Sequence, residues 1–332
     1  MREVAQHAGV GTKTVSRVIN GEPNVSAAMT SRVLRAIEAL QWSPDATASN
    51  LKRTVTRTRT IGLLLGSVEN PFSAVIHRAI EDAAAARDVA VFASSLDEDP
   101  AREAAAVQAF VRRKVDALIL TCAAGSQEYI SELVPARVPI VFIDRRPTGY
   151  SADIVRSDNR DGARQATRHM LSLGHRRVAG LFDRIDIWTA AERRYGFFDA
   201  LAEFGIPADP AMIVTDIGSP EHAEAAIYRL FGSPTVPTAI FSSQNLITEG
   251  TVRALQRLSR QREVAVVGFD EIELGDLLSP GVTVLAQRPA EIGRIAAERL
   301  FARLDGDRTE PRDTVVGVDL LARGSGEIRP PV

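Results

Sequence analysis

At 332 residues the chain exceeds one ordinary domain, and 45% hydrophobic with 25% charged residues is the composition of globular protein, not of a disordered or fibrous chain. Cys122 is the only cysteine, so an internal disulfide is excluded; no metal-ligand spacing, signal-peptide core or run of membrane-spanning length is visible, and a cytoplasmic protein with no metal, cofactor or membrane partner is expected. The net charge of −2 is unevenly placed: residues 1–59 carry nine Lys/Arg against four acids, a net +5, and the remainder is −7, the asymmetry expected when one end meets a polyanion.

In chain order, REVAQHA places Val4, Ala5 and Ala8 at helical spacing, and Gly9 ends that helix. The next stretch, GVGTKTVSRVIN, is rich in glycine and β-branched residues that are indifferent helix formers. Asn20-Gly21 and Glu22-Pro23-Asn24 mark a turn, after which Ser26 caps a helix through SAAMTSRVLRAIEALQW with Val33, Ile37 and Leu40 on one face. Three short helices thus fit within residues 1–44, closed by Pro44. Residues 45–59 follow as a hinge and linker: DATASNLK spans about two helical turns, too few to be stable alone in water, and TVTRTRT has no apolar periodicity.

From Thr60 apolar runs alternate with amphipathic helices. IGLLLG, VAVFASS, DALILT and PIVFID are separated by helices near 71–88, 100–113 and 126–134. A second series runs through ADIVRSD, RVAGLF, MIVTDI, TAIFSS and EVAVVGFD, with helices near 160–173, 189–204, 219–231 and 244–258. Such repetition predicts two doubly wound α/β lobes with buried parallel strands. VTVLAQ, a helix over 289–304 and RDTVVGVDLLARG are too short for a third lobe and return across both, giving an N-lobe of about 60–156 and 287–318 and a C-lobe of about 157–286 and 319–332.

In open parallel sheets ligands bind beyond the carboxyl ends of the strands. Asn70-Pro71-Phe72, Asp144-Arg145, Asp158, Gln244-Asn245 and Asp270 all follow apolar runs. Acids and amides bond hydroxyl groups, and Phe72 or Trp188 can cover an apolar ring face, so the group suits a small polyhydroxylated ligand. Any one of these Asp residues serves equally well as a helix cap. Catalysis finds no support. None of His7, His77, His169, His175 and His222 falls at a strand end, no G-x-S-x-G elbow is present, and Cys122 has no base partner and is expected to be buried. His175, in LGHRR, is expected to be structural. GVGTKT lacks the G-K-[ST] order and the preceding strand of a phosphate loop.

The basic head has the order of a helix-turn-helix, whose second helix presents polar residues to the major groove. Thr12, Lys13, Ser16 and Arg17 suit that exposed face, while Val15, Val18 and Ile19 can pack against the first and third helices. EVAQHAGVGTKTVSRVINGEPNVS resembles the head of the lactose-repressor (LacI/GalR) family of transcription regulators, whose pattern runs D-V-A-x-x-A-G-V-S-x-x-T-V-S-R-V-[IL]-N. RVLRAIEALQWSPD, TRTRTIG, NPF, FIDRR, SDN, LGHRRVA, Arg193 to Phe197, VVGFD and LARGSG extend the resemblance along essentially the whole chain.

That resemblance implies two lobes of periplasmic-binding-protein type below the head and hinge helix. It also implies a homodimeric repressor on double-stranded, pseudo-palindromic operator DNA, controlled by a small-molecule effector such as a sugar. Thr12, Lys13 and Arg17 would read bases, Arg17 with a bidentate guanine contact, and Thr14, Ser16, Asn20 and Asn24 would touch phosphate or pack. In the hinge, Leu51 matches the leucine that the family wedges into the minor groove, with Ala48 and Lys52 beside it at the DNA. Phe72, Asp144, Asp158, Arg193, Gln244, Asp270 and Gln287 match effector-contacting positions, to which the residue reading adds Trp188. The chain departs from the family pattern at Gly11, where Ser usually caps the recognition helix, at Gln244-Asn245 in place of Asn-Asp, and at FDRIDIW in place of a Gly-Pro turn. No heptad follows Arg329, so a dimer is expected, not a tetramer. A solute-binding protein and a cytosolic enzyme on the same scaffold are the rival readings.

Overall fold

The computed structural model describes residues 1–19, 22, 25–42 and 57–331. Asn20, Asn24, Ala48, Leu51, Lys52 and most of the expected hinge lie outside the described residues. The chain divides into two compact units, Met1–Arg57 and Thr58–Val332.

In the first unit α1 (Arg2–Ala8), α2 (Thr12–Ile19) and α3 (Ala27–Ala39) enclose a small core of Val4, Ala5, Ala8, Val15, Val33 and Ala36. Val10, Val18, Ile19, Ile37 and Trp42 pack around it. Burial of these β-branched residues supplies the stability that their weak helix propensity does not. Gly9 ends α1 in the left-handed region at φ 58, and its missing Cβ leaves room for Arg32, which donates to the carbonyls of Ala8 at 2.6 Å and Gly9 at 3.1 Å. Ser26 caps α3 by accepting from the Met29 N–H. Leu40 departs from the expected face: the helix ends one residue before it, Leu40 is 39% exposed, and Ala36 and Trp42 fill the space instead.

The second unit holds two six-stranded sheets. In the N-lobe sheet, β1 (Thr60–Leu65), β2 (Ala90–Ser95), β3 (Ala117–Leu120), β4 (Ile140–Ile143), β5 (Asp153–Ser157) and β11 (Asp313–Val316) lie in the order β11-β5-β4-β3-β1-β2, all parallel. The C-lobe sheet arranges β6 (Val178–Leu181), β7 (Ile213–Val214), β8 (Ala239–Ser242), β9 (Ala265–Phe269), β10 (Thr283–Ala286) and β12 (Asp319–Leu321) as β12-β10-β9-β8-β6-β7, with only β12 antiparallel. The inner strands are continuous apolar runs because helices cover both faces.

Helices α4 (Pro71–Ala85), α5 (Pro100–Arg112) and α6 (Tyr129–Leu133) belong to the N-lobe, and α7 (Asn159–Ser172), α8 (Trp188–Glu203), α9 (Pro220–Phe231) and α10 (Asn245–Arg257) to the C-lobe. The last helix, α11 (Pro289–Leu304), returns to the N-lobe, where Ile292, Ala296 and Leu300 join the core of β1, β3 and β4. Arg299 and Arg303 of α11 hold the carboxylate of Asp153, at the start of β5, at 2.8 Å and 2.7 Å. The chain therefore passes between lobes after β5, after β10 and after β11, and the terminal segment adds an edge strand to each sheet.

Two elements are shorter than the apolar pattern suggests. MIVTDI contributes only Ile213–Val214, because Pro210 opens a 3-10 turn before it and Asp216 leaves at φ 64. The helix expected at 126–134 contracts to Tyr129–Leu133, after a turn in which Gly125 takes φ 108. Helices α7 and α8 cross at Gly196, where a Cβ would stand 2.0 Å from the Arg160 carbonyl oxygen. His175 is fully buried, its ring nitrogens bonded to Thr238 Oγ1 at 2.9 Å and the Ile328 carbonyl at 2.8 Å, a structural role as expected. Cys122 is buried, and burial pushes its thiol up to about 12. Among the described residues no helix is long and apolar enough to cross a membrane.

Candidate functional site

The two lobes repeat one local design. Asp144 follows β4 and Asp270 follows β9, both in the left-handed region, at φ 67 and φ 72. The Asp144 N–H donates to Val155 O and the Asp270 N–H to Leu285 O, each on the neighbouring strand, at 2.9 Å. This turn lifts both carboxylates out of the sheets toward the space between the lobes, at a conformational cost of about 1–3 kcal/mol each. Other strand ends add to the same wall: Asn70 and Phe72 after β1, Asp183 after β6, Ser243 and Gln244 after β8, and Gln287 after β10. Thr189, Ala190 and Arg193 come from α8.

Arg193 organises the C-lobe side. It is 6% exposed, donates from Nε to Asn159 Oδ1 at 2.7 Å and from Nη1 to Ser243 O at 2.7 Å, and stands 3.5 Å from Asp270 Oδ2. Its guanidinium stacks 3.8 Å above the Phe269 ring. Asp270 also accepts from Gln287 Nε2. On the N-lobe side Arg145 binds Glu98 with both terminal nitrogens, at 2.7 Å and 2.6 Å, and donates to Cys122 O at 3.2 Å. Burial pushes the carboxyl groups of Asp144, Asp183 and Asp270 above the usual range, opposed in each by the nearby guanidiniums.

The walls meet at the Asn70–Asn245 amide pair, where Asn245 Nδ2 donates to Asn70 Oδ1 at 3.0 Å. The same Asn70 oxygen caps α4 by accepting from the Phe72 N–H at 3.0 Å. Farther along, the Arg156 guanidinium of β5 lies 5.2 Å from the Trp188 ring centroid at the start of α8. The cleft holds about 70 Å³ of open space. Ligand pockets usually offer roughly 300–1,000 Å³. A ring-sized ligand therefore enters only when the lobes or these side chains move apart.

Of the effector-contacting residues expected from sequence, Phe72, Asp144, Arg193, Gln244, Asp270 and Gln287 share this wall. Asp158 and Trp188 do not line it. Asp158 caps α7 by accepting from the Asp161 N–H at 3.2 Å, and it borders an open charged groove with Arg160, Asp161 and Arg164. Trp188 is occupied by Arg156 instead. Asp183, Thr189, Ser243 and Asn159 were not anticipated. Asp183 and Ser243 stand just beyond β6 and β8, so the strand-end rule could have found them, whereas nothing local marks Glu98, whose partner is 47 positions away.

On the head, Thr12, Lys13 and Arg17 of α2 are exposed, while Thr14 and Ser16 are partly buried, so Ser16 does not share the open face expected for it. Arg17 Nε is 3.7 Å from Glu22 Oε2, with both side chains about half exposed. Around Gly11 there is open space, with no atom within 4 Å of a Cβ built on it, and its carbonyl accepts from Thr14 and Val15.

The family model described as "Bacterial regulatory proteins, lacI family" matches residues 1–45, and the one described as "Periplasmic binding proteins and sugar binding domain of LacI family" matches residues 58–324. The ribose operon repressor of Haemophilus influenzae is 30% identical, over 98% of this chain and 98% of its own. Among solved structures, the complex of the transcriptional regulator CelR with cellobiose is 28% identical with a TM-score of 0.72, covering 98% of each chain. The Lac repressor dimer bound to operator and the anti-inducer ONPF shares the fold at a TM-score of 0.85 over 97% of each chain, with 24% identity. The protein is therefore a member of the LacI family of bacterial regulatory proteins, a DNA-binding transcription regulator with a helix-turn-helix head and an effector-binding body.

Proposed function

We propose that this protein represses transcription as a homodimer on a pseudo-palindromic operator, and that a small polyhydroxylated effector, a sugar or close relative, sets its operator affinity from the cleft between the lobes. One observation carries the effector reading: acids, amides and guanidiniums from strand ends of both lobes converge on a single cleft. A ligand bonded to both walls ties its own binding energy to the angle between the lobes. The Asn70–Asn245 and Arg156–Trp188 contacts, which cross from lobe to lobe, register that angle. The names of relatives that concern ribose and cellobiose support a carbohydrate.

On the DNA side, Thr12, Lys13 and Arg17 read bases, Thr14, Ser16, Asn20 and Asn24 contact phosphate or pack, and Ala48, Leu51 and Lys52 act at the operator centre. A hinge of about two turns is marginal as a helix, so coupling of about 1–3 kcal/mol from the body decides whether it forms on DNA. Fluorescence anisotropy with a duplex from the protein's own promoter region is expected to give tight binding, with log affinity falling linearly in log salt. Equal affinity for a random duplex of the same length refutes sequence-specific repression. Leu51→Ala is expected to weaken operator binding by roughly tenfold or more, the scale of a lost minor-groove wedge, with effector affinity unchanged in calorimetry. Loss of both together removes Leu51 from the hinge role.

A further inference from the structure

Four carboxylates meet at this cleft: Asp144, Asp183 and Asp270 in its wall, and Glu98 behind Arg145. The wall holds two cations, Arg145 and Arg193, and each already has its acid, Glu98 and Asp270 respectively. Asp144 and Asp183 remain. Asp144 lies 3.5 Å from the Nε of Arg145 and in the field of Arg193, guanidiniums that it shares with Glu98 and Asp270. Asp183 accepts from neutral donors, the Arg184 N–H at 2.7 Å and Gln244 Nε2 at 2.8 Å, while the Arg184 guanidinium turns away to Asp186 at 2.6 Å. Both acids line the same cleft, Asp144 beyond β4 of the N-lobe and Asp183 beyond β6 of the C-lobe. Among the described residues the lining contains no lysine or histidine.

Four carboxyl groups sharing two guanidiniums at a cleft of about 70 Å³ leave the empty protein with an excess of acid there. Hydroxyl groups can donate to them but bring no charge. An ammonium group donates three hydrogen bonds and neutralises as well. Gln287 Oε1, an acceptor that no protein donor reaches, is open to a hydroxyl or an ammonium donor alike. A metal ion is the poorer fit, since among the described residues no group of three or more His, Cys, Asp or Glu has metal-binding arrangement.

Resting on the effector reading of the cleft, we infer that the effector is cationic: a small polyhydroxylated molecule bearing a protonated amine, of the aminodeoxy-sugar class, with its nitrogen held by Asp144 and Asp183. The test is calorimetric titration of the full-length protein at pH 7 with matched pairs: glucosamine and glucose, galactosamine and galactose, mannosamine and mannose. N-acetylglucosamine, ribose, cellobiose and glucose 6-phosphate complete the panel. The amine of at least one pair is expected to bind roughly tenfold tighter than its neutral partner, the difference between a charged and a neutral hydrogen bond. Asp183→Asn is expected to erase that preference and to raise the melting temperature of the unliganded protein. Neutral sugars binding as tightly as their amines in every pair, or tightest binding by the phosphate, overturns the inference and leaves a polyol effector standing. If no member of the panel binds, both the inference and the polyol reading fall.

Discussion

Arg193→Ala is expected to abolish the effector response and to destabilise the body by about 3–5 kcal/mol, the range for breaking a buried ion pair by removing one partner. Arg193 holds Asn159 Oδ1, Ser243 O and Asp270 at once, and its guanidinium lies flat on Phe269. Without it Asp270 keeps only Gln287, with burial still acting on its carboxylate. Lysine at this position restores the charge but not the planar fork, so Arg193→Lys should recover part of the stability and little of the binding. The pH dependence has a definite sign. Burial raises the Asp270 carboxyl above its unfolded value, so the native state holds the proton more tightly and stability falls as pH rises through the raised value. Removing the guanidinium that opposes this shift widens the window. The deficit of Arg193→Ala should therefore shrink in mild acid and be full at neutral pH, as followed by urea unfolding of the body. A variant that melts and responds like the parent at pH 7 places Arg193 outside the site.

The second large effect belongs to the head. Val15→Asp puts a carboxylate among Val4, Ala5, Ala8, Val33 and Ala36, a core too small to absorb it, and the three-helix unit should unfold. Operator affinity is then expected to fall more than about 100-fold, since a unit of this size has only a few kcal/mol to lose. Effector affinity and the main melting transition should not change, because the head and the body are separate compact units with separate cores. Arg17→Ala makes the contrast: its side chain is about half exposed, so it should leave the fold intact and cost about 1–3 kcal/mol of operator discrimination only. Parent-like operator binding by Val15→Asp in an anisotropy titration, with the helical signal retained, would show that the head is not held by this core.

Most of the elements were legible along the chain because their causes are local. Ser26 caps α3, Gly9 ends α1, and the runs IGLLL, ALIL, IVFI and AVVGF are buried as parallel strands. The strand-end rule located Asp144, Gln244 and Asp270, since the carboxyl edge of a parallel sheet is a place that the alternation of strand and helix defines. The same rule gives a ligand residue and a helix cap the same appearance, and Asp158 went to the cap. Leu40 kept helical spacing past the point where the helix ended.

Sequence by itself determined the basic head, the two α/β lobes and their order, because burial periodicity, caps and net charge depend on neighbours a few residues apart. Tertiary structure decided which charges meet. Arg145 takes Glu98, Arg193 takes Asp270, and Trp188 takes Arg156, pairs separated by 32 to 77 positions and chosen by where strand ends and helix starts converge. A carboxylate's partner is a property of three-dimensional distance that no local pattern encodes.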